Sequence, residues 1–545
     1  MAGDPASSTE GGITIVATLA DPSARPAEPA QPPASGRRWL VLSVLCISLL
    51  IVNIDNTVLN VVLPTLVRDL HATSTQLQWI VDAYVIVFAG LLLVAGSVAD
   101  RIGRKRTFLA GLVLFAAGST WAAFSGSVGM LIAARAGMGI GGALIMPSTL
   151  SIITQMFADP GERRSAIGFW AATSGVGVAL GPIIGGVLLA HFWWGSVFLI
   201  NVPIALAGLA LAIPLVPDSK NSRAAAPDVT GALLSVAGLG LLLWSIIEAP
   251  VHGWSSGLVM VTGIGGAVAL GGFAAWERFT SHPMLNLRFF RQRAFSAAIA
   301  SIGLATLGLF GSLFVLTQFL QFDLGYTPLQ AGVRVLPAAG AIAVIAPLSA
   351  LLQRSIGTKL TVAAGLVIVG AGLWQISLAT AGATYLDTVA GMIMLGIGAG
   401  LAIPATTASV MNSVPVEHTG IGSATNGAFL QVGGALGVAI IGSLLATRYQ
   451  GRMTAALAPY HVAAAITHTI LGSVGGALEV AAGAGGIQGV MLAQAARSAF
   501  ISGMDLGLRT GAAVAIAGGL LALATLPKRG AHLTSSSGDG TTLAA

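Results

Sequence analysis

Three ionisable side chains stand where the surrounding sequence is almost wholly apolar: Asp55, Asp82 and Arg135. A charge at the centre of a bilayer costs about 3 kcal/mol on insertion scales unless it is wet, paired or neutralised. A carboxyl that alternates between charged and neutral forms is what proton exchange requires, which is one reading of Asp55; the other is a cap or ion pair near the membrane interface. Asn53, Asn56 and Asn60 recur at i, i+3 and i+7 and form a polar stripe beside Asp55. Asp82 lies in Trp79-Ile-Val-Asp82-Ala-Tyr84. It could share a chamber with Asp55 and attract cations, or cap a helix at the outer surface, with Trp79 and Tyr84 marking an interfacial belt. Arg135 does not give up its proton under ordinary conditions. Its work would be to hold a nearby carboxylate ionised until a proton arrives, or to complete a structural ion pair.

The elements that must position these residues are membrane helices. Of 545 residues, 55% are hydrophobic and 8% charged, against about 25% charged in soluble domains. The chain breaks into about fourteen apolar stretches near 20 residues long, the length that crosses roughly 30 Å of hydrocarbon as a helix. The basic residues fall mainly in the loops on one side, 19 of 26. That asymmetry predicts a multi-pass protein of the cytoplasmic (inner) membrane with both termini in the cytoplasm, and it accounts for the net charge of +6 without nucleic acid.

The expected organisation is a disordered cytoplasmic tail (1–36), a six-helix bundle (37–217) and two inserted transmembrane helices (218–282). Five helices of a second bundle follow (283–447), then an extracytoplasmic loop (448–498), the last transmembrane helix (499–527) and a cytoplasmic tail (528–545). The loop reading of 448–498 competes with a fifteenth span over 469–496. The tail is not read as a cleavable signal.

The two bundles repeat one another. Gly139-Ile140-Gly141, Leu144 and Pro147 recur as Gly396-Ile397-Gly398, Leu401 and Pro404; Val176-Gly177, Ala179-Leu180-Gly181, Ile184 and Gly186 recur as Val432-Gly433, Ala435-Leu436-Gly437, Ile440 and Gly442; Ile102-Gly103 and Lys105 recur as Ile356-Gly357 and Lys359. Parallel halves with the substrate site between them are a common transporter architecture. The predicted fold is therefore an all-α membrane protein of two six-helix bundles plus two extra helices. Arg135 corresponds to Met392, so the charge is one-sided.

Two further motifs are local. Gly96-Ser-Val-Ala-Asp100-Arg101-Ile-Gly103-Arg104-Lys105-Arg106 joins the second and third spans. Its glycines permit a tight turn, and Asp100 and Arg104 can pair. Gly175-Val-Gly177-Val-Ala-Leu-Gly181-Pro182-Ile-Ile-Gly185-Gly186 lies in the fifth span. Pro182 removes a backbone hydrogen bond and kinks a helix, while glycines spaced three and four apart let a second helix approach.

With these motifs the chain, over about residues 39–526, resembles the major facilitator superfamily, and within it the fourteen-span drug:proton antiporter-2 type of efflux transporter. Ile54 to Pro64 is similar to that type's first-helix signature, with Val62 in place of the usual alanine; Leu131 to Ala143 is similar to its Arg-containing motif, with Met138 where glutamine is common. The resemblance implies that Gly96, Asp100, Arg101, Gly103, Arg104 and Lys105 latch the two halves on the cytoplasmic side. It implies that Arg135 takes part in proton coupling, and that Gly177, Gly181, Pro182, Gly185 and Gly186 mark export over uptake. The expected function is proton-coupled antiport of lipophilic, cationic drugs or antibiotics by alternating access, by a monomer whose partners are substrate, protons and lipid. A narrow exporter of one secondary metabolite and a proton-coupled nutrient symporter are the alternatives. The sequence contains no P-loop, so no ATP is expected, and no catalytic or metal motif, so the protein is read as a non-enzyme without cofactor. Glu248 and Asp323 are expected to face water, Glu417-His418 to open a helix, and His191, His252 and His282 show no metal spacing.

Overall fold

The computed structural model describes residues 35–220, 226–281, 283–380, 382–415 and 419–526. The two terminal tails, Glu417, His418, His282, Lys528 and Arg529 lie outside the described residues. The described residues contain no β-strand. The first bundle is α1 (Ser35–Leu70), α2 (Ser74–Ile102), α3 (Arg104–Ala123), α4 (Val128–Met156), α5 (Pro160–His191), α6 (Ser196–Leu199) and α7 (Asn201–Leu215). The inserted pair is α8 (Val229–His252) and α9 (Gly257–Phe279). The second bundle is α10 (Arg293–Gln318), continued by a π-helical turn at Phe319–Asp323, then α11 (Pro328–Arg334), α12 (Leu336–Ile356), α13 (Thr358–Ser377), α14 (Tyr385–Asn412), α15 (Thr419–Leu457), α16 (Ala464–Gly472), α17 (Val474–Ala484) and α18 (Gly486–Thr525). Among the described residues 14 helical segments are long and apolar enough to span a membrane, counting α6–α7, α10 with its π turn, and α11–α12 as one each.

Local chemistry sets the ends of these helices. Thr73 and Thr327 open α2 and α11 with capping boxes completed by Gln76 and Gln330. Ser127, Asp159 and Ser256 cap α4, α5 and α9. The α2–α3 and α12–α13 turns pass through Gly103 (φ 125°) and Gly357 (φ 86°), conformations that a Cβ would strain. These are the two glycines paired by the sequence repeat.

The rest of the repeat is a packing rule. A Cβ on Gly139 or Gly141 would run into Tyr84 of α2 or Phe115 of α3; one on Gly396 or Gly398 would run into Ala338 of α12 or Gly365 of α13. Gly177 and Gly181 of α5 bear on Asn53 and Thr57 of α1, and Gly433 and Gly437 of α15 bear on Gly303 and Leu307 of α10. Each of these four glycine pairs thus marks the same helix–helix crossing in both bundles, where small residues let backbones close up.

The connection read at 448–498 contains helices of its own. Residues 449–497 are largely helical: α15 runs to Leu457, α18 starts at Gly486, and α16 and α17 lie between them. With 11 residues, α17 is too short to cross a bilayer. The charged and Gly-rich residues that argued for a loop prevent a span but not a helix.

Candidate functional site

Asp55 and Arg135 meet. Their side chains are 0% and 1% exposed, and Arg135 Nη1 donates to Asp55 Oδ2. Arg135 Nε donates to the Ile80 carbonyl at 3.0 Å, and its guanidinium lies 4.4 Å from the centre of the Tyr84 ring. Asn201 Nδ2 donates to Asp55 Oδ1 at 3.3 Å and to Ser119 Oγ at 3.1 Å. The network joins α1, α2, α3, α4 and α7. Removing two charges from water is repaid only when geometry and supporting hydrogen bonds are good, and the amide, carbonyl and aromatic face around this pair supply that support.

The sequence reading missed Asn201 and Ser119 and misplaced Tyr84. Tyr84 is fully buried, stacked on Phe88 beneath the guanidinium, and not part of an interfacial belt. An Asn at the head of a strongly apolar helix was the available signal for Asn201. Trp79 is half-buried and donates to Glu248 Oε1 at 2.9 Å, so Glu248 fastens α8 to α2 instead of facing water alone. His252 lies near that same carboxylate, and Asp323 is half-buried.

Asp82 does not join the pair. It is 0% exposed, and among the described residues neither carboxylate oxygen has a hydrogen-bond partner. Nor does it cap α2, whose N-cap is Thr73. A buried polar group without partners is costly, which makes Asp82 a second place where this bundle holds an acid against its solvation preference.

A cavity of about 260 Å³ lies between the bundles. Asn53, Asn56, Thr57 and Asn60 form its polar wall on α1, facing apolar residues such as Phe310 and Ile342 of the second bundle, with Gln431 beside them. Asp55, Asp82 and Arg135 are not on this wall, which corrects the picture of a shared charged chamber. The reason is helical: at roughly 100° per residue, Asp55 points about 200° away from Asn53, so the stripe takes one face of α1 and the carboxylate the opposite one.

The α5 glycines build the junction behind that wall. Gly177, Gly181 and Gly185 stack against Asn53, Thr57 and Val58 of α1, while Gly186 bears on Leu329 of α11. Pro182 lines the cavity, and Gly332 of α11 packs on its carbonyl.

The loop after α2 bonds to the first bundle and to the segment that follows α7. Arg104 Nε donates to Asp100 Oδ1 and Arg104 Nη1 to Gln155 Oε1, both at 2.9 Å; Lys105 Nζ donates to the Ile213 carbonyl at 2.7 Å. The Arg104 amide donates to the Ser219 carbonyl, Arg101 is exposed, and a Cβ on Gly96 would meet open space. Among the described residues none of these hydrogen bonds reaches the second bundle, so the expected latch between halves is not closed in this conformation. No group of three or more His, Cys, Asp or Glu among the described residues could hold a metal.

Known proteins place this architecture. Residues 45–438 match the Major Facilitator Superfamily model. The multidrug efflux pump LfrA of Mycolicibacterium smegmatis is 36% identical over 86% of this chain and 92% of its own length. The tetracenomycin C resistance and export protein of Streptomyces glaucescens is 33% identical over 92% and 94%, and the methyl viologen resistance protein SmvA of Salmonella typhimurium is 34% identical over 85% and 93%. Among solved structures, a bacterial homologue of the human lysosomal transporter Spinster superposes with a TM-score of 0.64 at 16% identity, covering 90% of this chain and 98% of that one. A fourteen-span helical body built from two repeated bundles, a cavity between them and kinship along most of its length lead to one conclusion: the chain belongs to the Major Facilitator Superfamily.

Proposed function

We propose that this protein exports lipophilic compounds across the cytoplasmic membrane in exchange for protons, by alternating access, with Asp55 as the proton-carrying group. The observation that carries the reading is the two-faced first helix: α1 presents an uncharged amide stripe to the cavity and the paired Asp55 to a dry network behind it. The resistance and efflux proteins among its relatives support export. At about 260 Å³ the cavity lies just below the usual range of small-molecule pockets, with room for a compact ligand in this conformation.

In this reading the end of the molecule bearing Arg101, Arg104, Lys105, Arg163, Arg354 and Lys359 faces the cytoplasm. The bundles meet at the other end, where α5 packs on α11 and Gln321 Nε2 of the π turn donates to the Val61 carbonyl at 2.9 Å. The cavity therefore faces inward. A proton on Asp55 removes its charge and leaves the Arg135 guanidinium without its counter-ion. Five helices share that contact, so its loss shifts α1 against its neighbours and, through the close α1–α5 junction, moves the wall of the cavity. The open loop after α2 fits the same state: its latch closes when the basic end closes.

The expectation of cationic substrates is weakened by the geometry, because the carboxylates that motivated it do not face the cavity. An amide and apolar lining accepts neutral and weakly basic lipophiles as readily as cations.

The test is transport in proteoliposomes with an imposed pH gradient, using tetraphenylphosphonium and a neutral lipophilic dye side by side. Gradient-driven movement of either by wild type, lost in Asp55→Asn, supports the reading. Transport that persists after the gradient is collapsed, or in Asp55→Asn, refutes proton exchange at this residue.

A further inference from the structure

The internal repeat relates two seams between the bundles: α5 against α11–α12, and α15 against α2. They are not built alike.

The α2–α15 seam is zipped. Gly442 packs on Gln78, Ser443 Oγ donates to Gln78 Oε1 at 3.1 Å, and Gly427 packs on Leu92. The contacts run antiparallel from Gln78 to Leu92, about 21 Å of helix at 1.5 Å per residue. The inserted hairpin then covers this seam from outside. α8 touches both α2 and α15: Ser235 Oγ donates to the Gly90 carbonyl at 3.2 Å, Val236 fills the space over Gly90, and Glu248 accepts from Trp79. At the turn after α8, Trp254 Nε1 donates to Thr447 Oγ1 of α15 at 3.1 Å. At the basic end, Val94 of α2, Ala232 of α8, Phe273 of α9 and Leu285 share one small core, and the Leu285 amide is held by the buried Glu277 carboxylate at 3.0 Å.

The α5–α12 seam closes only at the other end. Gly186 meets Leu329 and Gly332 meets Pro182; these close glycine contacts lie within about 6 Å of α5, and α5 packs mainly on the short α11, with fewer contacts to α12. Continuing that register toward the basic end pairs Gly175 with Gly340, and a Cβ on either would meet nothing within 4 Å among the described residues. Gly175 lines the cavity, as do Ala339, Ile342 and Ala343 of α12. Around them the flanks are apolar and largely exposed: Phe169, whose ring meets Trp39 edge-on, and Val176 are 60% and 51% exposed, Val344 and Leu351 64% and 59%. No helix of the inserted pair reaches this side; α8 and α9 share no contact with α5 or α12 among the helix pairs that pack together.

The geometry points to a single lateral portal: the cavity opens to the lipid between α5 and α12 at the basic end, where a membrane-dissolved lipophile enters, while the inserted α8–α9 hairpin seals the symmetry-related seam. The substrate class rests on the export reading above; the one-sided opening does not.

The opening is read by lipid contact. In a Cys46→Ser background, which removes the sole cysteine, single variants Gly175→Cys, Gly340→Cys, Leu92→Cys and Gly427→Cys are labelled with bimane and reconstituted in ordinary or brominated phosphatidylcholine. Bromines on the acyl chains quench only labels that lipid can reach. Loss of fluorescence at 175 and 340 with retention at 92 and 427 is expected. Unquenched labels at 175 and 340, or equal quenching at both seams, overturns the portal. Ser235→Trp and Gly90→Leu, two separate wedges between α8 and α2, should expose the label at 92; continued protection in whichever of them keeps a wild-type thermal transition overturns the sealing role. Quenching requires no transport. Tetraphenylphosphonium efflux without quenching at 340 therefore sinks the portal alone, and quenching without efflux sinks the export reading alone.

Discussion

The two bundles share a skeleton, and the first carries buried charge where the second does not. The α1–α5 crossing is repeated as α10–α15, with Asn53 and Thr57 standing where Gly303 and Leu307 stand. That register sets Asp55 opposite Ala305, and the sequence repeat sets Arg135 opposite Met392; Ala305 and Met392 are both fully buried. The second bundle shows that the fold needs no charge at these positions. The shared skeleton therefore does not by itself require the ion pair of the first bundle.

Making the first bundle resemble the second is the most severe test. Arg135→Met leaves the Asp55 carboxylate buried and unpaired, and should cost about 3–5 kcal/mol and all gradient-driven transport; thermal unfolding in detergent and proteoliposome flux measure the two. The double variant Asp55→Ala/Arg135→Met, a copy of the second bundle, should recover most of that stability and none of the transport. If the double variant is as unstable as the single one, the pair is structural and the comparison fails.

Crowding the shared crossing comes next. Gly181→Ala and its counterpart Gly437→Ala push a methyl into Thr57 and Leu307, and each should cost about 1–3 kcal/mol as overpacking. Equal losses confirm that the crossings are equivalent, whereas a transport defect confined to Gly181→Ala assigns the moving crossing to α1–α5.

Asn201→Leu removes one donor to Asp55 and leaves Ser119 with one bond fewer. A loss of about 1–3 kcal/mol is expected, with transport reduced but not abolished. Unchanged flux would separate Asn201 from the exchange.

The smallest effect on stability is expected at the loop. Asp100 and Arg104 form a partly exposed pair, so Asp100→Asn should change the unfolding free energy by less than about 1 kcal/mol while stopping transport through loss of the closed latch. Normal efflux by a well-expressed Asp100→Asn protein would reduce the loop to an orienting device.

Much of this was legible in the residues. The count of fourteen spans followed from apolar length, and the duplicated halves from the glycines, whose spacing repeats because the crossings do. Asp55 and Arg135 were identified because charge in an apolar helix demands a partner, yet their separation by 80 positions concealed that each is the other's partner. Asn201 gave a weak signal, since a single amide in a hydrophobic helix has many uses. The stripe of asparagines was found but set on the wrong side of Asp55, an error that angular bookkeeping along α1 would have caught. The cavity-facing role of Thr57 and the helicity of 449–497 depend on what surrounds those residues in space.

The opposed faces of α1 have a consequence for how exchange fails. Export schemes in which proton and cargo displace each other from one carboxylate forbid joint occupancy. Here the two ligands would occupy separate compartments on either side of a single rod, so a doubly loaded intermediate is sterically allowed. Strict one-for-one turnover then depends on how stiffly that rod transmits its motion, and a variant that loosens it would slip, passing protons without cargo.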